Sequence, residues 1–201
     1  MRYMATYTDV RPRMRPGDII AFGGTSHFSN WIKWATKSEV SHIAIIIQTK
    51  LWFDEGSPDW MLNQIIESAD EGVQICRLSD KINSYDGEAW WLPLSPIRRA
   101  SLDLAKLHNF VFQQEHKEYD TTQAILSGTL FNKEDFRKFY CSELAAAALE
   151  AGGVISHLNA SRVQPIDMCR FDIYDQDYCQ LKGEPKEIKG FNTLVPVGWG
   201  E

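Results

Sequence analysis

The hydrophobic period of this chain changes once, at Ser95-Pro96, and the change sets the fold class. Before it, short β-branched and aromatic runs alternate with turn signals, which is the pattern of strands. Residues 18–22 follow the turn Arg15-Pro16-Gly17-Asp18. Residues 41–48 form a buried β-branched run. Residues 63–68 and 73–78 flank Ala69-Asp70-Glu71-Gly72 as a hairpin, and residues 90–94 add one more short strand. After the change, Ser95 caps a helix with Pro96 at its first position. Leu104, Leu107 and Val111, with Phe110 beside them, share one apolar face, so this helix is expected to run to about Lys117. Residues 140–151 form a second, Ala-rich helix that Gly152-Gly153 stops in the left-handed region. Strands first and helices after predict an α+β domain, its helices on one side of an antiparallel sheet.

The remaining segments are less patterned. Ser29 can cap a short helix over residues 30–37, with Trp31 and Trp34 on one face. Residues 1–15 read as an irregular lead-in, 54–60 as a turn-rich excursion and 119–135 as irregular or weakly helical. Residues 160–201, punctuated by Pro and Gly, read as loops with one or two short strands. No repeat or low-complexity linker divides the 201 residues. They are read as one domain, with a core over about 15–153 and a less patterned extension over 154–201.

Composition removes several function classes. The hydrophobic fraction is 44% and the charged fraction 24%, as in ordinary globular proteins. A net charge of −6 without a block of Lys and Arg lacks the footprint of a nucleic-acid binder. Arg11, Arg13 and Arg15 are read as a solvated N-terminal stretch. The four cysteines, at 76, 141, 169 and 179, include no CxxC pair and are read as free thiols of a reduced compartment. The first residues carry no apolar signal segment, and the run at 43–47 is far too short to cross a bilayer. The expected location is the cytoplasm, with delivery by another route left open. No HExxH motif, zinc-type spacing or Gly-rich phosphate loop is present, so no metal or cofactor is expected.

Three residues could carry chemistry together. Cys141 stands where the Ala-rich helix is expected to begin, and first-turn N–H groups there favour a thiolate. Taken alone, a buried cysteine on a core helix is the commoner role. His42 opens the apolar strand at 41–48, and an imidazole is the base a thiol nucleophile needs. A histidine satisfied by backbone at a strand end is common too. Glu67 lies inside a β-branched strand, where burial requires a partner such as an imidazole, although strand alternation also allows a solvent-facing position.

Read together, RPGDIIAF at 15–22, SNWIKWATKSEVSHIAII at 29–46, IIES at 65–68, EYD at 118–120 and FYCSELAAAALEAGG at 139–153 resemble the YiiX-like proteins. These are the circularly permuted branch of the NlpC-type papain-like superfamily, and the lecithin–retinol acyltransferase group is a more distant likeness. The resemblance implies a small antiparallel barrel-like sheet packed against a Cys-bearing helix. It implies Cys141 as nucleophile, His42 as general base and acid, and Glu67 as the residue that orients His42. The Cys141 backbone N–H would serve as oxyanion donor. Tyr119 would line the pocket or assist the oxyanion, or equally be a core tyrosine. Phe28, Trp31 and Trp34 would wall the groove or pack in the core.

The implied activity is that of a cysteine amidase or peptidase working through a thioester on small amide or peptide substrates, such as cell-wall-derived peptides. A lipid acyltransferase or thiol esterase on the same fold, and a binding module without turnover, are the alternatives. No feature of the sequence sets an oligomeric state.

Overall fold

The apolar runs of the first half pair with one another in the computed structural model, which describes residues 2–25, 38–51, 61–69, 72–115 and 133–200. The strands are β1 (Arg2–Met4), β2 (Ile19–Gly24), β3 (His42–Leu51), β4 (Met61–Ala69), β5 (Gly72–Arg77), β6 (Gly87–Leu92) and β7 (Tyr178–Lys182). The helices are α1 (Tyr7–Val10), α2 (Leu78–Ser84), α3 (Pro96–Ala100), α4 (Leu104–Gln114), α5 (Lys133–Ala151) and α6 (Pro165–Arg170).

The seven strands among the described residues form one sheet in the order β1-β7-β6-β2-β3-β4-β5. All neighbours are antiparallel except β1 and β7. The fold class is α+β, as expected. The sheet is open, with β1 and β5 at its edges, and this corrects the barrel-like expectation. The hairpin expected between β4 and β5 closes on the pair Ala69 and Gly72.

Strand alternation divides the interior into two cores. Ile19, Ala21, Ile43, Ile45, Ile47 and Ile66 face one side, with Leu144, Ala145, Ala148 and Leu149 of α5 and Leu107 and Val111 of α4. Ile20, Phe22, Ala44, Ile46 and Ile65 face the other, with Val10, Met14, Leu78 and Ile82. The small alanines of α5 bring its backbone close to β3 and β4, as a thin helix should. Its end follows the glycine signal. Gly153 has φ +77°, and Val154 N–H donates to the Leu149 carbonyl at 2.9 Å.

Several expectations need correction. Residues 1–15 are not irregular: they contain β1, α1 with a Thr6–Asp9 capping box, and a 3₁₀ turn over Arg11–Arg13. The helix expected to continue from Ser95 to about Lys117 is two helices. Ser95 caps α3, and Asp103, whose side chain accepts from Lys106 N–H, starts α4 afresh. Residues 160–201 hold a short strand as expected, β7, which sits between β1 and β6 within the sheet, and add the helix α6.

β2 runs on through Gly23-Gly24. A Cβ at Gly23 would lie 2.6 Å from the Glu39 carbonyl oxygen, so only glycine fits. The Arg15-Pro16-Gly17-Asp18 turn is built around Asp18. Its buried carboxylate accepts from Trp91 Nε1 at 2.9 Å, from Leu94 N at 3.0 Å and from Arg99, tying β2 to the end of β6 and to α3.

Candidate active site

Glu67 is the most informative polar residue of the sheet. Its side chain has no solvent exposure, so the solvent-facing option for it is closed. A carboxylate taken from water needs donors, and among the described residues this one has four. His42 Nε2 lies 2.7 Å from Oε2. On Oε1 the donors are Lys81 Nζ at 2.7 Å, Gln74 Nε2 at 3.2 Å and the Cys76 thiol at 3.8 Å. Gln74 sits directly opposite Glu67 in the β4–β5 ladder, and Lys81 comes from α2.

The charges follow from these contacts. Burial alone would raise the Glu67 pKa, but the His42 hydrogen bond and charge, with Lys81, take it down from 4.5 to about 2. An ionised carboxylate only accepts, so Nε2 of His42 carries the proton. Burial alone would lower the His42 pKa, but the charge of Cys141 and its hydrogen bond, then Glu67, raise it from 6.5 to about 9. With Nε2 held by Glu67, Nδ1 is the nitrogen left for the Cys141 sulfur. The sulfur belongs to a residue 2% exposed, and the His42 side chain is 17% exposed.

The imidazole and the thiol start from different layers. His42 packs against Phe22, ring centroids 5.7 Å apart, on the α2 side of the sheet. Cys141 belongs to the α5 core. The β3–β4 ladder runs from Leu51–Met61 only as far as Ile45–Ile66. Residues 42–44 and 67–69 lie beyond its last pair, and there the thiol and the imidazole interact.

No family model matches the chain, and no curated protein does. A solved structure is among those similar to this chain. It is described as the metalloprotein yiiX from Escherichia coli O157:H7, with 22% identity and a TM-score of 0.45. The match covers 69% of this chain and 66% of that one, slightly under two thirds of its length.

The structure brings Cys141, His42 and Glu67 together, while Phe28, Trp31, Trp34 and Tyr119 lie outside the described residues. One sequence expectation about the thiol is overturned. Cys141 is the ninth residue of α5, counting from Lys133, not the first of a helix. Its N–H lies past the first turn, where the intrahelical ladder uses such groups, so the helix-start arguments for thiolate and oxyanion fail. The protonated His42 imidazole, held by the Glu67 carboxylate, remains as a positive charge beside the thiol.

Lys81 and Gln74 were not singled out by sequence. A signal for Lys81 existed: Leu78 and Ile82 are four apart, and Lys81 falls beside them on the buried side of a short helix. Among the described residues, no group of three or more His, Cys, Asp or Glu side chains is placed to hold a metal ion. No described helix is long and apolar enough to cross a membrane.

Proposed function

We propose that the protein is a cysteine hydrolase of the amidase or peptidase type, acting through a thioester on small amide or peptide substrates. The observation that carries this reading is the imidazole of His42, bonded to a buried carboxylate on one side and to the Cys141 thiol on the other. That is the arrangement a nucleophile–base–orienter set requires.

In this reading Cys141 gives its proton to His42, and the sulfur attacks the substrate carbonyl carbon. The C–N bond breaks as His42 protonates the leaving amine, leaving an acyl thioester on Cys141. Water, deprotonated by His42, then adds to the acyl carbon, and the thioester opens to release a carboxylic acid and restore the thiol. Glu67 holds the Nε2–H tautomer throughout and stabilises the imidazolium, without itself taking the proton.

The test is the pH dependence of Cys141 alkylation by iodoacetamide in wild type and in His42→Ala. Labelling of Cys141 well below pH 8, faster than at Cys76, Cys169 or Cys179 and lost in the variant, is the expected result. Cys76 and Cys169 supply internal references, since burial pushes the first up to about 12 and the second higher still. Slow labelling of Cys141 that ignores the histidine would leave a binding module without turnover. Screening of amide and peptide substrates follows, with Cys141→Ala expected to abolish any hydrolysis found.

A further inference from the structure

Glu67 has more partners than the orientation of one imidazole requires. Lys81 is a buried-side lysine, its side chain 19% exposed. Its ammonium lies 5.9 Å from the Phe22 ring centroid and 5.7 Å from that of Tyr85. Two aromatic faces and one carboxylate oxygen at 2.7 Å hold it in place. A surface lysine that drifts between rotamers is not held this way.

The groups facing this cluster can be named element by element. β3 contributes His42, β5 contributes Gln74 and Cys76, and α2 contributes Lys81, with Asp80 acting on Cys76 from the same helix. Cys141 reaches His42 from α5. Cys76 keeps its proton and acts as a donor only. Asp80 is exposed and acts on Cys76, and among the described residues the charged groups bonded through Glu67 and His42 form a single chain: Cys141, His42, Glu67, Lys81.

When the thiol passes its proton to His42, that chain reads thiolate, imidazolium, carboxylate, ammonium. Opposite charges alternate and the sum is zero. Without the ammonium, the same state carries one net negative charge in a setting largely closed to water. The neutral state would then be thiol, imidazolium and carboxylate, and the nucleophile would stay protonated.

Building on the reading of Cys141 and His42 above, we infer that Lys81 is a positioning residue for the nucleophile. Its ammonium fixes Glu67 through Oε1, leaves Oε2 for His42, and balances the carboxylate so that Cys141 can hold a negative charge.

The experiment compares wild type, Lys81→Met and Lys81→Arg by two readouts. The first is the His42 imidazole titration followed by NMR on protein with labelled histidine. It does not depend on thiol reactivity. Removing a nearby positive charge makes a proton harder to lose, so the Met variant is expected to titrate about one unit higher. The second is the alkylation midpoint of Cys141, expected to rise by about one unit, so that labelling near neutral pH slows about tenfold. Lys81→Arg keeps the charge and is expected to keep both midpoints. Lys81→Gln replaces the Met variant if that one fails to fold, as judged by thermal unfolding.

An unchanged His42 midpoint in the uncharged variant would overturn the inference. So would an Arg variant that behaves like Met. If wild-type Cys141 shows no enhanced labelling, the hydrolase reading fails, while the His42 shift still decides whether Lys81 sets the charge balance.

Discussion

The two faces of strand β3 are built on opposite principles. Ile43, Ile45 and Ile47 face α5 and α4, and that layer is aliphatic with small alanines opposite. Ala44 and Ile46 face α2, and at the His42 end of that layer stand a histidine, a carboxylate, a lysine and a thiol. The aliphatic face is non-directional and tolerates changes of detail as long as volume is kept. The charged face is directional, because each buried group depends on a particular partner atom. Stability should therefore be concentrated on one face and proton chemistry on the other, with Cys141 joining them.

Substitution of Ile45 by Ala separates the two most strongly. Ile45 is fully buried and pairs with both Ile19 and Ile66. Its truncation is expected to cost about 4 kcal/mol through lost burial and a residual cavity. The His42 titration should not move. Denaturant unfolding and imidazole NMR on the same protein check both halves. A shifted His42 midpoint would mean that the faces are coupled through the backbone.

The charged face should instead show itself through pH. The folded-state pKa of Glu67, about 2, lies below its ordinary 4.5. Its stabilisation of roughly 3 kcal/mol is full above pH 4.5 and is lost as pH falls through 2. His42 runs the other way, from an ordinary 6.5 to about 9. Its contribution is full below 6.5 and is lost as pH rises through 9. The cluster therefore stabilises the fold most between pH 4.5 and 6.5, and unfolding free energy measured across pH should bow around that window. Glu67→Gln should lower the maximum by about 3 kcal/mol and flatten the curve, because Lys81 and His42 lose their anion. A variant curve parallel to wild type would place the pH sensitivity elsewhere.

The same contrast explains what could be read from the sequence. β3 announced itself because burial on both sides of a central strand demands a continuous β-branched run, and β4 and β5 were marked by the turn signal at residues 69–72 between them. A charged residue in an apolar strand and a histidine at a strand mouth marked Glu67 and His42 as candidates, and their grouping with Cys141 came from the family resemblance. α2 was not. Its seven residues contain Ser, Asp and Asn, and Arg77 at its N-cap makes no side-chain capping bond, so no local signal outweighed the strand before it. Lys81 vanished with it. The break between α3 and α4 was missed because Leu104 and Leu107 continue an apolar spacing, whereas Asp103 capping decides where the new helix starts. The position of Cys141 within α5 was misjudged because residues 133–140 lack the Ala-rich pattern that marks the rest of the helix.

The smallest expected effect tests how the C-terminal segment supports the charged face. α2 ends without a glycine, and its orphan carbonyls need donors. Lys182 of β7 supplies them. Its ammonium donates to the carbonyls of Ile82 at 2.8 Å, Asn83 at 3.2 Å and Tyr85 at 2.6 Å. A cation at a helix C-terminus also favours the helix dipole. Lys182→Met should therefore cost about 1–2 kcal/mol. If this cap also holds Lys81 at Glu67, the His42 midpoint should rise in the same direction as in Lys81→Met, by a smaller amount. Loss of stability with an unmoved midpoint would mean that Leu78 and Ile82 alone seat α2. The last fifty residues would then support the sheet without reaching the proton chemistry at its other end.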